Sequence, residues 1–216
     1  AVLGLLLSVF TSAQAQRVTS NLEALYTFTS GGGSTVYDQE GNTDLQIDNT
    51  NNVSWVSGGG ITINSSTIIK TNGNANGLRS ALQSTNEISI EAWVVPNNLT
   101  QGGPARMMTF SSNTAERNFT LGQEAQDYAI RLRTINTNIQ GFPEELTTGS
   151  AVSTSLQHVV FVRNSAGAEK FYVDGNQVYS GTRAGDFSNW SNYRFALGNE
   201  LTNDRPWLGT FYLAAI

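Results

Sequence analysis

Apolar and polar positions alternate with period two over most of the chain. Glu87-Ile88-Ser89-Ile90-Glu91-Ala92-Trp93-Val94-Val95 alternates until Pro96. Asn118 to Gln123 puts Phe119 and Leu121 on one face. Tyr128, Ile130 and Leu132 share one face of the next segment, with Arg131 and Arg133 opposite. The run His158 to Val162 is more continuously apolar, which predicts a strand covered on both faces. Lys170 to Val173 and Gln177 to Tyr179 flank Asp174-Gly175-Asn176, a strong hairpin signal. Trp207 to Ile216 supplies a closing strand. Turn clusters such as Gly31-Gly32-Gly33-Ser34, Gly58-Gly59-Gly60 and Asn72-Gly73-Asn74 separate the strands. One helix is expected, over Asn76 to Gln83 with Asn76 as N-cap. Many short strands between Gly- and Asn-rich turns predict an all-β chain, a two-sheet antiparallel jelly-roll β-sandwich. No repeat or linker divides it.

The front of the chain breaks this pattern. Ala1 to Phe10 is an apolar run too short to span a bilayer, which takes roughly 20 residues. Ala13-x-Ala15 behind it is a small-residue cleavage signature. Residues 1–15 are therefore expected to be a signal peptide fragment and 16–216 one domain, with no membrane insertion after leader removal. Such a leader predicts a secreted or extracellular protein, in the periplasm or at the cell surface. Zero Cys in an exported chain points to a bacterial route rather than a disulfide-stapled ectodomain.

Composition then removes whole classes of chemistry. The chain has 216 residues, no Cys and one His, which excludes thiolate nucleophiles, Cys-ligated metals and multi-His sites. Charged residues make up 13%, about half the usual ~25%. Twelve Lys and Arg against a net charge of −5, with no basic run, exclude nucleic acid as a partner.

Five short strings in order resemble laminin G-like jelly-roll domains of the concanavalin A-like lectin/glucanase superfamily. Leu25-Tyr26-Thr27-Phe28 with Val36-Tyr37-Asp38 and Gly41-Asn42 resembles their opening. Ile88 to Val94 is similar to a central strand, Gln157 to Val160 to a His-containing strand, and Phe171 to Gly175 to a hairpin. Asn199-Glu200 through Trp207-Leu208-Gly209 and Ala214-Ala215-Ile216 resembles the closing segment, without the usual final Tyr-Asp, so the last strand is expected to be cut short. The resemblance implies two curved sheets with a concave face. It also implies a non-catalytic module binding a glycan or an extracellular protein, often as part of a larger protein.

Catalysis finds no support in the carboxylates. Glucanases of the superfamily carry a Glu-x-Asp-x-(x)-Glu triplet on one strand, and none is present. Glu124-x-x-Asp127 has the wrong parity for one strand face, Glu144-Glu145 follows Pro143 in a loop, and Asp38-x-Glu40 lies in a turn. A polysaccharide hydrolase and a purely structural spacer remain the alternatives to a binding module. His158 lacks an evident nucleophile and orienting acid, which favours a hydrogen-bonded structural histidine over a general base.

Asp38, Asn42 and Asp44 are rich in oxygen and could ligate Ca²⁺, a site some family members have. The same residues could instead cap their own turn. Trp93 reads as core and Trp190 as a loop residue free to stack on a sugar. Arg131 and Arg133 are expected on the concave face near Glu200, with Arg205 and Trp207 beside them. That cluster is either an ion-pair scaffold or a polar ligand groove.

Overall fold

A computed structural model describes residues 19–216; the expected cleavage site after Ala15 lies outside the described residues. In chain order the strands are β1 (Leu25–Tyr26), β2 (Thr35–Val36), β3 (Leu45–Ile47), β4 (Val53–Trp55), β5 (Ile61–Ile63) and β6 (Ile69–Thr71). After helix α1 (Asn76–Thr85) come β7 (Ile88–Pro96), β8 (Ala105–Asn113), β9 (Glu116–Glu124), β10 (Asp127–Leu132) and β11 (Glu145–Leu146). The chain continues with β12 (Gln157–Arg163), β13 (Ala168–Val173), β14 (Asn176–Thr182), β15 (Arg194–Leu197) and β16 (Gly209–Ala215).

The pairing gives two antiparallel sheets. The first runs β14-β13-β12-β7-β16-β5-β4, with β1 added to one end of β16; the second runs β11-β10-β9-β8-β15-β6-β3-β2. Period two in the sequence becomes one buried face per strand. In β7, Ile88, Ile90, Ala92 and Val94 point inward; in β10, Tyr128, Ile130 and Leu132 do. Aromatic rings join the sheets at the centre. Tyr26 stacks on Phe195 at 6.1 Å, and Phe119 meets Phe195 and Trp190 at 6.3 and 6.2 Å. Each such side chain contributes roughly 1.5–3 kcal/mol by leaving water.

The expected hairpin is present. Asp174 and Gly175 have φ of 51° and 77°, the left-handed pair that a two-residue turn between twisted strands requires. The helix differs from expectation at both ends. Ala75, with no side-chain cap bond, is the N-cap, and Asn76 is already helical. The C-terminus extends to Thr85, where Asn86 closes it at φ 55° and donates its N–H to Leu82 O.

The run His158 to Val162 is also not covered on both faces. Val159 and Phe161 are fully buried, while His158, Val160 and Val162 are only half-buried. The outer face of the first sheet is open here. Its β-branched residues reflect strand propensity rather than a second buried layer.

Candidate functional site on the outer face of the first sheet

The inward phase of β7 leaves Ser89, Glu91, Trp93 and Val95 pointing outward. On the neighbouring strand the outward set is His158, Val160 and Val162. Register places His158 directly opposite Trp93, and Val160 between Glu91 and Tyr172. Leu213 flanks Trp93 on its other side, from β16.

Three of these side chains interlock. The His158 imidazole stacks on the Trp93 indole with ring centroids 4.5 Å apart and planes 18° from parallel. Trp93 Nε1 donates to Glu91 Oε1 at 3.1 Å, and His158 Nε2 lies 3.0 Å from the same oxygen. The His158 backbone N–H donates to the Asp174 carboxylate at 2.8 Å, tying this strand to the hairpin. The indole is fixed in orientation and still 37% exposed. Trp93 is therefore not a core residue, contrary to the sequence expectation. Its phase with Ser89 and Glu91, rather than with Ile90 and Val94, is the sequence signal that identifies it.

The outer face of the second sheet is of another kind. Arg131 does project away from the core, in one cross-strand row with Thr120, Thr109, Ala196 and Lys70. Its partner is Glu144, at 2.5 Å from Nε, and its guanidinium lies 4.6 Å from the Phe142 ring centroid. Glu200 pairs instead with Arg106, whose Nε is 3.0 Å from Oε2, with both side chains essentially inaccessible. Ser111 Oγ and the Leu201 N–H also donate to Glu200. Thr109, Thr120 and Arg117 on this face are fully buried.

Arg117 Nη1 donates to Gln140 O at 2.8 Å, and Nη2 donates to Thr114 O. Burial, then the Arg106 and Arg131 guanidiniums, lower its pKa to about 10. Burial likewise lowers Arg106, against the opposing pull of Glu200. The loop from Thr134 to Glu144 thus covers part of this face, a placement that local patterning does not reveal because the loop folds back on β9 from more than twenty residues away.

Of the remaining sequence-predicted residues, Arg205 stays beside the Arg106–Glu200 pair, its carbonyl accepting from the Arg106 N–H at 3.0 Å, and the others lie apart. Arg133 Nη1 donates to Ser191 Oγ at 3.2 Å, and Arg205 Nη1 donates to Asp204 O at 2.7 Å. Trp190 is 3% exposed; it stacks on Phe187 at 4.3 Å and donates Nε1 to Arg133 O at 2.6 Å. Trp207 is fully buried, with Nε1 donating to Gln123 Oε1 at 3.0 Å. Neither indole offers a free face to a ligand, which corrects the reading of Trp190 as an open loop residue. Tertiary packing has drawn that loop into the aromatic core.

In the Asp38–Asp44 loop the carboxylate of Asp38 is spent on its own backbone. Oδ1 accepts from the N–H groups of Leu25 and Glu40, and Oδ2 from those of Asn42 and Thr43. Asp44 Oδ1 accepts from the Asp38 N–H at 2.8 Å, while the Asn42 amide donates to Glu40 O. Among the described residues no group of three or more acidic or His side chains is gathered for a metal. This is the turn-capping arrangement, the second of the two readings of Asp38, Asn42 and Asp44.

Among solved structures, the fold is similar to domain 4 of AbnA, a GH43 extracellular arabinanase from Geobacillus stearothermophilus in complex with arabinotriose. That match has TM-score 0.57 and 22% identity and covers 90% of each chain. The Ruminococcus gnavus IT-sialidase CBM40 bound to α2,3-sialyllactose matches with TM-score 0.52 and 13% identity, over 68% of this chain and 84% of that one. The binding domain of botulinum neurotoxin DC, in complex with rat synaptotagmin II, matches with TM-score 0.59 and 12% identity. This match covers 89% of the present chain, which spans about half the length of the toxin domain (48%). No curated protein sequence matches. Among the described residues, no helix is long and apolar enough to cross a membrane. A laminin G-type family model matches residues 70–216, and with the two-sheet topology this places the chain in the concanavalin A-like lectin/glucanase superfamily.

Proposed function

We propose that this domain is a non-catalytic carbohydrate-binding module, secreted as part of a larger bacterial protein, whose ligand lies across the outer face of the first sheet. The observation that carries the reading is the exposed Trp93 indole, held by His158 behind it and Glu91 beside it. One face of a sugar ring presents C–H groups and its rim presents hydroxyls. An indole plane with a carboxylate at its edge suits both. Because the platform is locked before binding, little rotamer entropy is lost when a ring settles on it. Two of the similar folds hold a saccharide, arabinotriose in one and sialyllactose in the other, which supports the same class of ligand here.

On this reading the Arg106–Glu200 and Arg131–Glu144 pairs of the second sheet are scaffold. Titration calorimetry against a panel of neutral and acidic oligosaccharides tests both assignments. Trp93→Ala should weaken binding roughly 30-fold, the ~2 kcal/mol of a hot-spot side chain. Arg131→Ala should lower stability and leave affinity unchanged. Affinity lost in Arg131→Ala and kept in Trp93→Ala would move the site to the second sheet. Reducing-sugar release from β-glucan would identify the hydrolase alternative, and absence of binding to any glycan the spacer.

A further inference from the structure

A second feature lies apart from the Trp93 face. Strand β4 is the edge of the first sheet and β2 the edge of the second, so the sandwich has an open flank between them. Trp55 ends β4 opposite buried Ile61, so its indole lies on the inner side of the sheet, packed against the margin of the core at that flank. Its Nε1 donates to Gly33 O at 3.4 Å, and the residue remains partly exposed. Beside it opens a cleft of about 590 Å³ lined by Thr29, Gly31, Ser57, Gly58 and Gly59 as well as Trp55. This volume falls in the range of roughly 300–1,000 Å³ usual for small-molecule sites.

The walls are held in place. Gly59 N donates to Val56 O at 3.1 Å, Val56 N to Gly60 O at 2.9 Å, and Gly60 N to Phe28 O at 3.0 Å. Gly31 and Gly58 sit at φ 69° and 86°, and a Cβ on either would meet nothing within 4 Å, so both border open space. No lining side chain is titratable, and the polar groups on offer are two exposed hydroxyls and the peptide backbone.

We propose that this cleft is a second saccharide site, which takes an uncharged sugar ring on the Trp55 indole and works independently of the Trp93 platform. The proposal rests on the carbohydrate-binding reading. A flat apolar wall, hydroxyls and exposed peptide groups without charge match a neutral sugar and offer nothing to an anion or a cation. Strand β4 is three strand spacings from β7, about 14 Å across the sheet. Trp93 points outward from the sheet and Trp55, opposite buried Ile61, to its inner side at the flank, so separate glycan chains or branches engage the two sites.

Indole N–H resonances in two-dimensional NMR test this directly, because the four tryptophans are few enough to assign by single substitution. The probes are arabinotriose, xylotriose, cellotriose and mannotriose. At least one should shift the Trp55 resonance, with a midpoint unchanged within twofold in Trp93→Ala. Ser57→Phe fills the cleft from an exposed position and should abolish the Trp55 shift while the Trp93 shift persists. A Trp55 resonance that stays still while Trp93 moves would overturn the cleft alone. Silence of Trp55 across the panel would likewise overturn the cleft, while the carbohydrate reading falls only if Trp93 also stays still with acidic oligosaccharides such as sialyllactose. A Trp55 response that survives Ser57→Phe, or vanishes in Trp93→Ala, would overturn an independent site in this cleft.

Discussion

At the scale of single residues, what decides a side chain's role is the phase of its strand and the company it meets. Trp93 was legible by phase, since it falls with Ser89 and Glu91; residue type, which favours burying a tryptophan, pointed the other way. Trp190 was illegible, because nothing local indicates that its ring docks on Phe187.

The tyrosines show how strongly such company acts. Burial raises Tyr26, Tyr128 and Tyr179, the last to about 12; Asp38 and Asp44 add to it at Tyr26, Asp174 at Tyr128 and Glu145 at Tyr179. Tyr26 donates its proton to Thr43 O and Tyr128 to Gln157 Oε1, bonds that a phenolate cannot make. A phenol raised in the folded state adds stability that is fully present below its unfolded value near 10. That stability is lost as pH rises through the folded value. Ultraviolet titration of the native protein should leave Tyr26, Tyr128 and Tyr179 protonated at pH 11. In guanidinium all seven tyrosines should ionise together near pH 10.

At the scale of elements, turns and strands were easier to read than loops. The Asp174-Gly175 turn follows from two residues that tolerate positive φ, and the strands follow from alternation. The helix cap departs from expectation because an Asn near a helix start is only a propensity, and Ala75 is positioned by its N–H bond to Tyr193 O instead. The Asp38–Asp44 loop shows the limit most clearly. Its oxygens suit both Ca²⁺ and backbone capping, and only the folded path reveals that four N–H groups converge on one carboxylate. Asp38 is 5% exposed and Thr43 6%, so its removal strands the Thr43 N–H in particular, which water cannot easily reach. Asp38→Ala should cost about 3 kcal/mol in urea unfolding. Thermal melts in Ca²⁺ and in chelator should coincide, both for the parent and for the variant; a melt raised by Ca²⁺ and levelled by Asp38→Ala would restore the metal site.

At the scale of the whole molecule, the two sheets divide the work because their outer faces are finished differently. The first is left open around Trp93. The second is covered in part by the Thr134–Glu144 loop and carries a buried set of charges centred on Arg106 and Glu200, which come from β8 and from the segment before β16. The short strings shared with the family forecast both sheets, yet which outer face stays open depends on contacts such as Arg117 to Gln140 that span more than twenty residues.

The partly covered face makes a thermodynamic commitment that can be measured. A buried ion pair is costly to desolvate, and removing one member leaves the other uncompensated. Arg106→Met should therefore destabilise by roughly 3–5 kcal/mol, since Glu200 would keep only the Ser111 hydroxyl and nearby backbone N–H groups around its charge. Glu200→Leu should do the same by leaving the Arg106 guanidinium, already 1% exposed, with Pro104 O as its remaining acceptor. The double variant Arg106→Met/Glu200→Leu removes both charges and should be more stable than either single one. That non-additivity, read from denaturant midpoints in a double-mutant cycle, is the signature of a pair acting as one unit. Additive losses would mean that each side chain is held by its other partners, and that the pair does not join β8 to the segment before β16.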